Sequence, residues 1–95
     1  MTDDEAAHRR LWASVIIQHL IDATNETNTS NARVYRQQAR AWITTEVGTT
    51  AQDFEEVCMA AGFEPSTVRK FVHNYEGPPL TLHVLSRLRD AFLKD

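Results

Sequence analysis

Helix-breaking residues are scarce in this 95-residue chain, and they fall at only a few places. Its three glycines and three prolines lie at 48, at 62 and 65, and in the segment 77–79. Glycine and proline disfavour a helix interior more than any other residue type, so the stretches between them are free to be helical. The pattern predicts an all-α fold, a compact bundle of about five helices in one domain over residues 1–95, without strands.

Composition and charge narrow the class of protein. Hydrophobic residues make up 42% of the chain and charged residues 24%, which is typical of a soluble globular domain. The single cysteine, Cys58, excludes an internal disulfide and suits a reducing compartment. No apolar run approaches the ~20 residues that cross a bilayer, and the acidic start at 1–5 differs from a signal peptide. We therefore expect a cytoplasmic protein of bacterial type without a membrane partner.

Helical periodicity places the first two helices in the N-terminal half. The first is predicted at about 4–24, with one apolar stripe made of Trp12, Val15, Ile16, His19, Leu20 and Ala23. The polar run 25–31 is predicted to be a loop. The second helix is predicted at about 31–46, ended by Gly48, with a buried face made of Tyr35, Ala39, Trp42 and Ile43.

Three further helices are predicted in the C-terminal half. Thr50 to Asp53 has the spacing of a capping box that opens a helix over about 51–61, and Gly62 is predicted to stop that helix. Pro65 suits the first turn of the next helix, which is predicted to reach Tyr75. The segment 76–79 breaks the chain again, and the last helix carries one apolar face made of Val84, Leu85, Leu88, Ala91 and Phe92.

The segment 53–72 carries the most informative spacing. Cys58 supplies the small residue that two steeply crossing helices need, and Gly62, four positions later, supplies the positive φ of a tight turn. Three apolar side chains are predicted to point inward: Phe63, Val68 and Phe71. At these positions the segment resembles the helix-turn-helix of bacterial repressors and related phage regulators. The resemblance implies a helix-turn-helix at about 51–75 whose second helix enters the major groove of DNA.

The same resemblance implies which side chains contact DNA. With the apolar positions inward, the exposed face of the second helix consists of Glu64, Pro65, Ser66, Arg69, Lys70 and His73. Arg69 is predicted to bind guanine through two hydrogen bonds, and Ser66 or Thr67 to contact a phosphate or a base edge. Lys70 and His73 are predicted to contact the DNA backbone.

Three arginines of the second predicted helix form a possible phosphate-contacting stripe. Arg33, Arg36 and Arg40 fall within about 60° of one another on a helical wheel, away from the predicted apolar face. The alternative is a basic edge that only faces solvent. The net charge of −3 counts against indiscriminate phosphate binding, so the placement of the basic residues decides between the two.

Three functions fit these observations. The leading prediction is a small sequence-specific protein that binds double-stranded DNA, regulates transcription and pairs as a dimer. A second is a phage packaging component of the small terminase type, which places a helix-turn-helix on an oligomeric ring. The wider pattern at 39–43, 53–54, 57–58 and 61–62 also looks like small uncharacterised phage- and prophage-encoded proteins, and that resemblance suggests a mobile-element origin but implies no activity. The third is a protein-binding adaptor. An acidic rim of Asp53, Glu55, Glu56 and Glu64 around the second helix of the helix-turn-helix would favour the adaptor. A positive surface shared by Arg69 and Lys70 with Arg33, Arg36 and Arg40, or with Arg87 and Arg89, would favour DNA.

The sequence gives little support for an enzymatic function. No catalytic residue, metal site or cofactor is predicted, because the four histidines lie on different faces without a partner at zinc-ligand spacing. Cys58 occupies a helix crossing and is predicted to be a core residue and not a nucleophile.

Overall fold

A computed structural model of the chain describes residues 2–26 and 29–93 and folds them into five helices. These are α1 (Thr2–Thr24), α2 (Ser30–Thr44), α3 (Gly48–Ala61), α4 (Pro65–Asn74) and α5 (Leu82–Phe92). The extended pairing found in these residues is one isolated bridge between Phe63 and Leu93. The all-α prediction is confirmed.

Helix α1 lies at the centre of the packing. It contacts α3 and α2 most extensively, and it also contacts α5. One apolar cluster draws side chains from all five helices, and its largest fully buried members include Phe54, Phe63, Phe92, Ile16, Leu20 and Ile43. Complete burial of a side chain of this kind contributes about 1.5–3 kcal/mol, so this shared cluster is the main source of the fold's stability.

The segment between α4 and α5 is fastened to the end of α1. The Thr24 hydroxyl accepts a hydrogen bond from the Leu80 backbone N–H at 2.9 Å and donates to the Leu20 carbonyl at 3.0 Å. Leu80 itself is buried in the core. A threonine near a helix end thus joins two segments that lie far apart in the sequence.

The turn between α3 and α4 follows the prediction. Gly62 has a φ of +78° and ends α3, and Pro65 is the first residue of α4. The N–H groups of Gly62 and Phe63 donate to the carbonyls of Met59 at 3.1 Å and Cys58 at 2.8 Å, respectively. The last carbonyls of a helix lack partners within it, and these bonds satisfy two of them. The Glu64 N–H donates to the Phe92 carbonyl at 2.7 Å, which ties the turn to α5.

The boundary between α2 and α3 differs from the prediction. Helix α2 ends at Thr44, and Gly48, with a φ of +88°, is the first residue of α3. The predicted capping box at Thr50 is wrong, because Thr50 lies inside α3 and the cap residue is Val47, which makes no side-chain cap bond. The Asp53 carboxylate accepts instead from the Trp42 indole N–H at 2.7 Å.

Several side chains predicted to be buried are not. Tyr35 is 60% exposed, because the residues that α2 buries are Ala39 and Ile43, in its second half. Val84 and Ala91 are also exposed on α5, where Leu85 and Phe92 make the buried contacts. Spacing alone therefore located the apolar face of each helix. It did not show how much of that face the adjacent helices bury.

Candidate nucleic-acid interface

A groove of about 570 Å³ lies between the second half of α2 and the exposed side of α4. Its lining residues are all polar or charged, with more cations than carboxylates, and consist of Arg40, Thr44, Glu46, Ser66, Arg69, Lys70, His73 and Asn74. Three permanent cations thus line the groove against one carboxylate. The local charge balance is opposite in sign to the net charge of −3 for the whole chain. We refer to this feature as the α2–α4 groove.

Helix α4 presents one continuous polar face beside the groove. Val68 and Val72 are fully buried on its inner side. The exposed side chains fall at positions that a helix places on one side, namely Ser66, Thr67, Lys70, His73 and Asn74. Hydroxyl, amide, imidazole and ammonium groups together form a surface able to donate and accept hydrogen bonds.

Glu64 is directed toward its own helix. Its Oε1 atom accepts from the Ser66 hydroxyl at 3.1 Å and from the Ser66 N–H at 3.5 Å, as a helix cap does. A carboxylate at this end of α4 also suits the positive end of the helix dipole. A carboxylate on this face would repel DNA phosphate, and at Glu64 that repulsion is reduced by the two bonds from Ser66 and a half-buried position.

Arg69 does not lie on the exposed face, and the prediction that it does is wrong. Its side chain is only 16% exposed. Its Nε–H donates to the Ile43 carbonyl at 3.1 Å, and its Nη2 donates to the Thr45 carbonyl at 3.1 Å and to Glu55 Oε2 at 2.9 Å. The guanidinium carbon lies 4.9 Å from the centre of the Phe54 ring. Two-pronged binding of guanine would require these bonds to break.

The three arginines of α2 occupy different environments. Arg33 is exposed. Arg36 is half-buried and donates to the Asn25 carbonyl at 2.6 Å, which fastens the loop after α1. Arg40 lines the α2–α4 groove. The predicted stripe is thus divided, and Arg40 is the member that shares a surface with Lys70.

Three of the four carboxylates that an acidic rim around α4 would need have partners inside the protein. Asp53 accepts from Trp42, Glu55 pairs with Arg69 and Glu64 caps α4, whereas Glu56 is exposed. Sequence reasoning missed Thr44, Glu46 and Asn74 as groove residues. Asn74 was detectable, because it follows Lys70 by four positions on the same helical face. Glu46 was not detectable, because the end of α2 was predicted two residues too late and Glu46 was therefore placed inside the helix.

Cys58 is fully buried, as predicted. Burial raises the pKa of its thiol to about 12, and the nearby Arg69 charge opposes this rise. His19 packs against Trp42 with ring centres 4.1 Å apart, and its Nδ1 lies 2.8 Å from the Val15 carbonyl oxygen. Cys58 and His19 are therefore both part of the protein's packing.

Two other kinds of site are absent from residues 2–26 and 29–93. No three His, Cys, Asp or Glu side chains come together there in a group able to hold a metal ion. None of the helices combines the length and hydropathy of a bilayer-spanning segment. No protein-family model matches the chain, and no curated protein or solved structure matches it.

Proposed function

We propose that this chain is a small sequence-specific protein that binds double-stranded DNA and regulates transcription. In this proposal α3 and α4 act as a helix-turn-helix, and α4 enters the major groove. The observation that carries it is the α2–α4 groove, which brings Arg40 of one helix beside Lys70 of another. We place the protein in the cytoplasm and expect it to bind DNA as a dimer, because one such helix reads only a few base pairs.

The charge distribution around the groove supports this function. The Arg69 charge is offset by Glu55 at 2.9 Å, so Arg40 and Lys70 supply the remaining positive charge of the groove, against the single carboxylate of Glu46. Two cations on separate helices, on one surface, suit phosphates along a DNA backbone. His73 lies along the same groove and is available as a further backbone contact.

The base-reading role falls to the polar residues at the start of α4. Ser66 and Thr67 are exposed in its first turn, the part of a recognition helix that meets base edges. Their hydroxyls donate and accept, and so match several base-edge patterns. Arg33 is exposed about 10 Å further along α2 from Arg40, within reach of a flanking phosphate.

A protein-binding adaptor is the second candidate, and one observation favours it. Large apolar side chains are exposed at Val47 (81%), Met59 (65%) and Leu82 (64%), none of which lines the α2–α4 groove. Exposed apolar side chains suit a protein partner when they form one contiguous patch. These three belong to the α2–α3 connection, α3 and α5, so they favour the adaptor less than the groove favours DNA.

Selection of duplexes from a random DNA library, followed by titration at several salt concentrations, tests the proposal. Lys70→Ala and Arg40→Ala are each expected to reduce the slope of log K against log salt by about one unit. Arg87→Ala is the matched control, because Arg87 is exposed on α5 and does not line the groove. Absence of wild-type binding at low salt, or an equal reduction by Arg87→Ala, would contradict the proposal and favour the adaptor.

A further inference from the structure

Arg69 joins three parts of the molecule through one side chain. Its partners are the carbonyls of Ile43 and Thr45 at the end of α2, the Glu55 carboxylate on α3, and the Phe54 ring. Arg69 itself belongs to α4. A single guanidinium therefore holds α4 against both preceding helices. It does so at the wall of the α2–α4 groove, which Arg69 helps to line.

The chemistry of this junction requires an arginine. The last carbonyls of a helix have no partner within it and carry the negative end of the helix dipole. A guanidinium presents several N–H groups in a rigid plane, so it can donate in different directions at once and stack on a ring. The ammonium group of lysine is a point charge on a flexible stem, and does not reproduce that planar geometry.

We infer that Arg69 is a positioning residue for DNA binding, an inference that rests on the proposed function. By fixing α4 against the end of α2, it sets the separation of Lys70 from Arg40, so that both cations contact one stretch of DNA backbone. Arg69 does not itself contact the DNA. Its charge is balanced by Glu55, and its hydrogen bonds are used inside the protein.

The first test separates position from charge. Arg69→Lys keeps the charge, so a direct phosphate contact predicts nearly normal affinity. A positioning role predicts a loss of about tenfold or more. In a protein that already carries Arg40→Ala, Arg69→Lys is expected to have little further effect, because the paired contact is already lost. Near-normal affinity of Arg69→Lys, or full additivity of the two changes, would overturn the inference.

A second pair of variants guards against a folding defect in Arg69→Lys. Glu55→Ala and Glu56→Ala each remove one negative charge from adjacent positions of α3, but Glu55 alone of the two pairs with Arg69. If only the net charge mattered, both variants would bind DNA as tightly as the wild type or more tightly, and their affinities would be equal. Positioning predicts that Glu55→Ala binds more weakly than Glu56→Ala. Equal affinity of the two variants would refute the inference.

Amide hydrogen exchange without DNA distinguishes failure of this inference from failure of the proposed function. The α4 amides of Arg69→Lys are expected to exchange faster than those of Lys70→Ala, because Lys70 is exposed and its loss leaves intact the bonds by which Arg69 holds α4 to α2 and α3. Unchanged α4 exchange in Arg69→Lys refutes positioning whether or not the protein binds DNA. Faster exchange in a protein that binds no duplex would reject the proposed function and, with it, the role in DNA binding.

Discussion

The two connections that flank α3 are built in opposite ways. The turn at 62–64 is closed at Gly62 and Phe63 by backbone hydrogen bonds to the end of α3, with Gly62 in the left-handed conformation, and Glu64 adds a bond to α5. The connection at 45–47 depends on distant side chains, because Arg69 binds the Thr45 carbonyl and Trp42 binds Asp53 just beyond it. Local sequence is therefore decisive at the first connection and is overridden by tertiary contacts at the second.

The two glycines of these connections provide the largest expected difference. Both have positive φ, but a Cβ at Gly62 would lie 3.4 Å from the Arg9 side chain, whereas a Cβ at Gly48 would meet open space. Gly62→Val is expected to lower the free energy of unfolding by ~1–3 kcal/mol, because a β-branched residue is strained there. Gly48→Val carries the same backbone strain at a φ of +88° but adds no steric contact, so its loss is expected to be smaller, about 1 kcal/mol. Urea titration of both variants checks the order, and an unchanged Gly62→Val would show that the turn is misplaced.

The second prediction concerns the side chains near the start of α3. Asp53→Ala is expected to lower the free energy of unfolding by about 1 kcal/mol, because it removes the acceptor of the Trp42 indole N–H. Thr50→Ala is expected to change it by less than about 0.5 kcal/mol, because Thr50 is exposed inside the helix. Thermal melts of the two variants give the comparison. A larger loss from Thr50→Ala would restore the capping box predicted from the sequence.

Cys58 gives the most sensitive report on the closed turn, since its carbonyl accepts the Phe63 N–H. Its thiol is buried and its pKa is raised from 9.0 to about 12, so the reactive thiolate is scarce at pH 8. We expect a thiol reagent to label the native protein only as fast as it opens, and Gly62→Val to be labelled faster. Rapid labelling of the wild type at pH 8 would contradict a closed turn.

The same thiol makes a small contribution to the pH dependence of stability. A raised pKa in the folded state favours folding below pH 9, and this contribution is lost as the pH rises from 9 toward 12. The difference in unfolding free energy between wild type and Cys58→Ala is therefore expected to shrink over that range. Denaturation at pH 8 and pH 10 measures it, and a difference that does not change with pH would show that the thiol is not desolvated.

The sequence predicted correctly the features that local structure decides, and it failed where tertiary contacts decide. Gly62, Pro65, Cys58 and Val68 were placed correctly because backbone conformation and helical spacing decide their positions. Arg69 was misplaced because helical spacing shows only that its side chain points away from Val68. Spacing does not show that α2 supplies two carbonyls on that side of α4. Partners 24 and 26 residues away leave no mark in a local pattern.

The candidate site was predictable in part for the same reason. Ser66, Lys70 and His73 are exposed on α4 as the spacing indicated, and Thr67 is exposed beside them. Their grouping with Arg40 depends on how α2 crosses α4, which is a property of the tertiary fold. The sequence therefore predicted the face of a helix, and the fold added the opposite wall of the groove.

The most direct test of the DNA-binding account is a map of backbone amide shifts in the labelled protein as a library-selected duplex is added at low salt. We predict that the shifts concentrate at 66–74 on α4 and at 40–46 beside it, and that they weaken as salt is raised. The outer face of α5 around Leu82 and Arg87 should remain unchanged. Shifts confined to α1 or α5, or no shifts at any salt concentration, would contradict the assignment of the α2–α4 groove to DNA.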